Sequence, residues 1–148
     1  MNVQTTRFGN VEVDESRIIN FTSGLLGFSN FKRFTLLQPD DEGVFFWLQS
    51  LDATELAFVV TDPSLWVKDY QATIRRDQME ELRLDSLDAA QIFVIVNRYE
   101  AALTANLQGP LVVNVKTRDA VQLVLAEKRW STRHEIVQLA ETVRAASA

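Results

Sequence analysis

His134 is the one histidine of the chain and stands three residues after Ser131, so the pair could in principle share the work of a hydrolytic dyad. No third group can be assigned to it from the sequence, and such sites are recognised by geometry, not by proximity along the chain. A solvated or helix-capping histidine is the plainer reading. The acidic runs Asp40-Asp41-Glu42 and Glu80-Glu81 offer paired carboxylates for acid–base chemistry, yet a chain with 20 acidic residues always contains pairs, and none sits in a distinctive frame. They read as solvated turns and a helix face. One histidine and no cysteine do not make a transition-metal set. "SGLLGF" (23–28) lacks the third glycine and the Lys-Ser/Thr of a phosphate loop, so Gly24 and Gly27 are read as supplying positive φ or room for close packing. No catalytic, metal-ligating or cofactor-binding residue is assigned.

Residues suited to binding are easier to find. In "LTANLQGPLVVNV" (103–115), Asn106 and Gln108 precede a Gly109-Pro110 break and an apolar run. If the segment is extended, the two carboxamides project to one side, and Pro110 removes a backbone donor, which suits an edge or loop. Asn106, Gln108 and Pro110 are therefore either part of a surface for a partner or a strand entry whose carboxamides satisfy neighbouring backbone groups. Trp66 and Tyr70 lie in the turn-rich "TDPSLWVKDY" and are candidates for exposed aromatic anchors. Phe45, Phe46, Trp47 and Phe58 lie on strand-like runs and are read as core.

The elements that must position these residues are mostly strands. Alternation over residues 2 to 14, with Phe8-Gly9-Asn10 as the turn, predicts a hairpin. Extended pieces follow at 18–21 and 34–37, the latter closed by the turn formers of "QPDDEG" (38–43). Further runs at 44–50, 56–61, 90–99, 111–115 and 120–126 are rich in β-branched and aromatic residues. Asp77 with Glu80 resembles a capping box opening a turn or two of helix. Ile136, Leu139, Ala140 and Val143 predict a terminal helix or tail over 135–148, behind a Thr132 cap. The expected fold is mostly β: an antiparallel barrel-like or sandwich single domain, residues 1–148, with one or two short helices.

Bulk properties narrow the function. The chain has 148 residues, enough for one ordinary core. Nothing in it reads as a signal peptide or membrane span, and cysteine is absent, which together predict a cytoplasmic protein without membrane contact. A net charge of −5 disfavours direct nucleic-acid binding and suits a basic protein partner.

Three blocks carry a resemblance. "FTSGLLGFSNFKRFTLL" (21–37), "LQSLDATELAFVVTDPSLWVKDY" (48–70) and "LTANLQGPLVVN" (103–114), in that order and spacing and with "TTRFGNVEV" and "STRH" at either side, resemble the flagellar assembly factor FliW family. Leu26 and Ser29 stand where that family usually has prolines and Gly109 where it usually has alanine, each loosening a turn. The resemblance implies a non-enzymatic regulator of flagellum assembly. It would bind flagellin and, when free of it, bind and antagonise the translational repressor CsrA, with no cofactor. The alternative is a small-molecule-binding β-barrel or an enzyme with an unidentified pocket.

Overall fold

The structure is a computed structural model that describes residues 1–38 and 43–139. Among the described residues the strands are β1 (Asn2–Thr5), β2 (Gly9–Glu12), β3 (Ile19–Phe21), β4 (Arg33–Leu37), β5 (Phe45–Ser50), β6 (Ala57–Thr61), β7 (Ala90–Tyr99), β8 (Ala102–Ala105), β9 (Leu111–Asn114), β10 (Asp119–Gln122) and β11 (His134–Gln138). One α-helix, α1 (Arg76–Glu81), accompanies them. Strands β3 to β7 pair in sequence order as antiparallel neighbours. The first part of β7, Ala90 to Phe93, pairs with β9, which pairs with β10, and β10 meets β3 in parallel. The ring is thereby closed into a barrel, one of the two expected forms, with that parallel junction as its exception to antiparallel order. Closure satisfies backbone groups that an open sheet would leave at its edges.

β7 is ten residues long and outruns the barrel. Its far end, Val96 to Tyr99, pairs with β8, and β8 in turn pairs with β11. This extension divides the apolar side chains into two cores. Phe21, Phe34, Leu48, Val60, Phe93, Leu111 and Val113 fill the barrel. Val94, Ala105, Leu107, Val112, Leu123, Leu125 and Trp130 form a second core outside it, together with Leu82 and Leu84 at the end of α1. β9 lies between the two: Leu111 and Val113 enter the barrel and Val112 the outer core. Burial on both faces explains why its sequence is a continuous apolar run without polar alternation.

Several expectations are corrected. Residues 134–138 form a strand, not the start of a terminal helix. The ladder of β8 offers these residues backbone partners, and the pairing shifts register between Glu135 and Val137, so that helical spacing in the sequence gives way to pairing at a sheet edge. The rest of that segment, 140–148, lies outside the described residues, as do 39–42 of the expected "QPDDEG" turn. The first hairpin turns two residues earlier than expected: Thr5 pairs with Gly9, so Thr6-Arg7-Phe8 forms the turn and Gly9, at φ +67°, opens β2. The helix also starts earlier than Asp77. Gln78 Oε1 accepts the Arg75 N–H at 2.8 Å, which supplies half of a capping box in a different register. β8 had no counterpart in the strand reading, and β10 ends at Gln122, short of Ala126.

Candidate functional site

The segment 106–110 joins β8 to β9 and is bent, not extended. Asn106 Oδ1 accepts the N–H groups of both Gln108, at 3.2 Å, and Gly109, at 3.0 Å, forming an Asx-type turn that reverses the chain before Pro110. The two carboxamides therefore do not share one side of a strand. The segment is also stitched on all sides. Asn106 N–H donates to Ile95 O and Leu107 N–H to Ser131 O, each at 2.9 Å. Leu125 N–H donates to Gln108 O and Leu123 N–H to Pro110 O, each at 2.8 Å. Gln108 Nε2 reaches Leu125 O at 3.4 Å. Pro110 is buried, at no edge, whereas Asn106 and Gln108 are half-buried. Their hydrogen bonds are those of the backbone-satisfying reading, and part of each side chain still meets solvent.

Tyr70 and Trp66 are half-buried too, and their polar tips are occupied, so neither is a free-standing exposed anchor. The Tyr70 hydroxyl donates to Leu107 O at 2.6 Å, and its ring meets Trp130 edge-on at 4.8 Å. Burial pushes its pKa above the usual phenol value, which keeps it a donor across the ordinary pH range. Trp66 Nε1 donates to Thr61 Oγ1 at 3.0 Å, and the indole stacks on Phe45 at 5.7 Å. The Asp62-Pro63 step turns the chain between them: Asp62 Oδ1 accepts from Ser64 N–H at 2.9 Å. Among the strand aromatics read as core, Phe46 and Phe58 pack against the barrel interior. Trp47 instead lies outside it, under the Arg7 guanidinium and edge-on to Phe8.

A residue outside the sequence reading ties this region together. Gln122, at the end of β10, donates from Nε2 to Gly109 O at 3.0 Å and accepts from the Leu26 N–H on Oε1 at 2.8 Å. Residues from the three sequence blocks thus converge on 107–109: Leu26 through Gln122, Tyr70 through Leu107, and the third block itself. Within the apolar run 120–126 nothing in the sequence marked Gln122 for this role. Glycine at 109 fits this closure, because a Cβ there would stand 2.9 Å from Asn106 Nδ2 and 3.0 Å from Gln122 Nε2. Beside the junction, Leu26 is 58% and Val124 64% exposed. They line two neighbouring cavities that share Leu123. Val124 is the outward residue between buried Leu123 and Leu125.

Ser131 Oγ accepts the Arg133 N–H at 3.0 Å, and His134 opens β11 opposite Ala105. Among the described residues no three His, Asp or Glu side chains converge on a metal-binding arrangement. What the arrangement offers is a hydrogen-bonded, partly apolar surface with carboxamides at its rim, suited to a macromolecular partner.

The chain is similar to known proteins in sequence and fold. A family model described as FliW protein matches residues 2–136. Flagellar assembly factor FliW of Bdellovibrio bacteriovorus is 40% identical over 138 residues, covering 92% of this chain and 79% of that protein. The protein of the same name from Geobacter sulfurreducens is 41% identical over 136 residues, covering 90% and 85%. A crystal structure of the flagellar assembly factor FliW superimposes with a TM-score of 0.85 at 31% identity, over 93% of this chain and 97% of that one.

Proposed function

The chain belongs to the FliW family of flagellar assembly factors, and from that premise we propose that it acts in the cytoplasm by exchanging two protein partners, flagellin and CsrA. Its place in flagellum assembly follows from the family; the observation that carries the finer reading is the match across residues 2–136, which takes in all three sequence blocks. In this reading the protein is not an enzyme. Bound flagellin withholds it from CsrA, and export of flagellin releases it to antagonise that translational repressor, so flagellin synthesis resumes. Two ligands that exclude each other on one protein are thermodynamically linked, and free flagellin then sets how much of the protein reaches CsrA.

Charge supports the second partner. A body of net charge −5 docked beside a basic RNA-binding surface repels phosphate and weakens RNA binding without covering it. The absence among the described residues of a helix long and apolar enough to cross a membrane fits a protein that works on soluble partners. Our reading assigns the partner contact to the accessible parts of Asn106, Gln108, Trp66 and Tyr70, with buried Pro110 holding the turn beneath them.

The test is a competition experiment with the whole chain immobilised, CsrA loaded and flagellin from the same organism titrated in. Release of CsrA in proportion to flagellin is the expected result. Failure of both proteins to bind would overturn the reading.

A further inference from the structure

A cavity of about 380 Å³ opens beside the barrel, lined by Arg17, Thr35, Leu36, Gln38, Phe46 and Arg118. Leu36 and Phe46 also pack against the barrel core, so the apolar part of the lining is continuous with it. The other part is two guanidiniums, and their setting is unusual for an acidic protein.

Arg118 sits in the β9–β10 turn at φ +68°, a left-handed conformation that a non-glycine residue rarely adopts. Its backbone is clamped there: the N–H donates to Asn114 O at 2.7 Å and the carbonyl accepts from Asn20 N–H at 2.9 Å. Its side chain reaches back over the 15–17 turn, where Nη2 donates to Arg17 O at 3.0 Å. Nε is buried and has no hydrogen-bond partner among the described residues. Neither Arg17 nor Arg118 forms an ion pair among those residues, although the chain carries 20 acidic groups against 15 basic ones. Burial, and after it the neighbouring Arg17 charge, lower the Arg118 pKa. Arg118 thus brings a half-buried guanidinium with one orphan donor to a cavity that the exposed Arg17 also lines, a setting that favours an anion.

We propose that Arg17 and Arg118 form a binding site for an organic carboxylate whose apolar body rests on Leu36 and Phe46. The guanidinium fork matches a carboxylate through paired N–H···O bonds, and the buried Arg118 Nε has no partner among the described residues to give up for one. Thr35 and Gln38 add neutral polar groups to the lining. Inorganic phosphate would meet the same charges but leave the apolar wall unused, so a carboxylate on an aromatic or aliphatic body fits the whole lining better. This site is separate from the 106–110 surface and does not depend on the partner-exchange reading.

Hydrocinnamate serves as the probe, with hydrocinnamyl alcohol as its uncharged counterpart and inorganic phosphate as a bare anion. Binding to the full chain is followed by the Nε–Hε NMR signals of its arginines at low ionic strength. Saturable shifts of the Arg17 and Arg118 signals with hydrocinnamate are expected, weaker ones with phosphate, and none with the alcohol. Arg17→Gln should weaken hydrocinnamate binding about tenfold or more, the scale of one lost charge-assisted pair. Arg17 is exposed, so this variant keeps its fold even if Arg118→Gln does not. A response to the alcohol equal to that of hydrocinnamate, or no saturable response at all, would overturn the proposal. So would binding that appears only when Asp40, Asp41 and Glu42 are replaced by their amides, because the guanidiniums would then serve acids of this chain.

Discussion

The Gln122 carboxamide lies across Gly109: Nε2 donates to the Gly109 carbonyl at 3.0 Å while Oε1 takes the Leu26 N–H at 2.8 Å. One side chain therefore holds the glycine turn at residues 23–28 against the entry to β9, although Leu26 and Gln122 are 96 positions apart in sequence. Gln122→Ala removes both bonds. A destabilisation of about 1–2 kcal/mol is expected, and amide exchange at Leu26 should accelerate more than at neighbouring strand positions. Unchanged protection at Leu26 would show that the glycine turn stands without Gln122.

Asn106 and Gln108 should separate in a stability measurement. Asn106→Ala strips the turn of the oxygen that accepts two backbone N–H groups, and denaturant unfolding should show a loss of about 1–2 kcal/mol. Gln108→Ala removes one long bond to Leu125 O and should stay within about 0.5 kcal/mol of the parent. Partner binding lost in Gln108→Ala is then attributable to contact, whereas the same loss in Asn106→Ala would mix contact with a disturbed turn.

Two glycines with similar backbone angles should differ sharply. Gly24, at φ +68°, would bring a Cβ to 2.6 Å from the Ser29 backbone, and backbone cannot swing aside as a side chain can. Gly27, at φ +83°, faces open space. Gly27→Ala is expected to cost about 1 kcal/mol from conformation alone, and Gly24→Ala about 3 kcal/mol or more. Equal melting temperatures for the two variants would contradict the packing.

Acid should uncouple the 32–33 and 51–53 segments. Desolvation acts to raise the Asp52 pKa, but the backbone and side-chain hydrogen bonds from Arg33 and the Lys32 N–H outweigh it and leave the carboxyl below its ordinary value. Because the folded pKa is depressed, its stabilisation is complete above the unfolded pKa of about 3.9 and fades as pH falls through the folded value. Asp52→Asn should flatten the stability profile in that acid window. A profile parallel to the parent's would assign the acid sensitivity elsewhere.

Much of this protein was legible from the chain alone. Alternation and β-branched runs located the hairpin and most barrel strands, because period-two patterning is a local response to having one face in a core. Gly24 and Gly27 were readable as left-handed positions, since that property belongs to the residue itself. The three blocks were sufficient for the family.

Other features required the closed barrel. Ile136 and Leu139 carry helical spacing, yet the preference of residues 134–138 yields to the ladder that β8 presents, and no local pattern announces a vacant sheet edge. Asn106 looked extended beside Gln108 but turns back on Gly109. Tyr70 finds Leu107, Leu26 finds Gln122, and Arg118 reaches Arg17 across long separations in sequence. The sequence by itself determined which segments bury a face and what kind of protein this is. Only the tertiary structure decided which polar groups meet, because hydrogen-bond and charge partners are chosen by the path the chain takes through space.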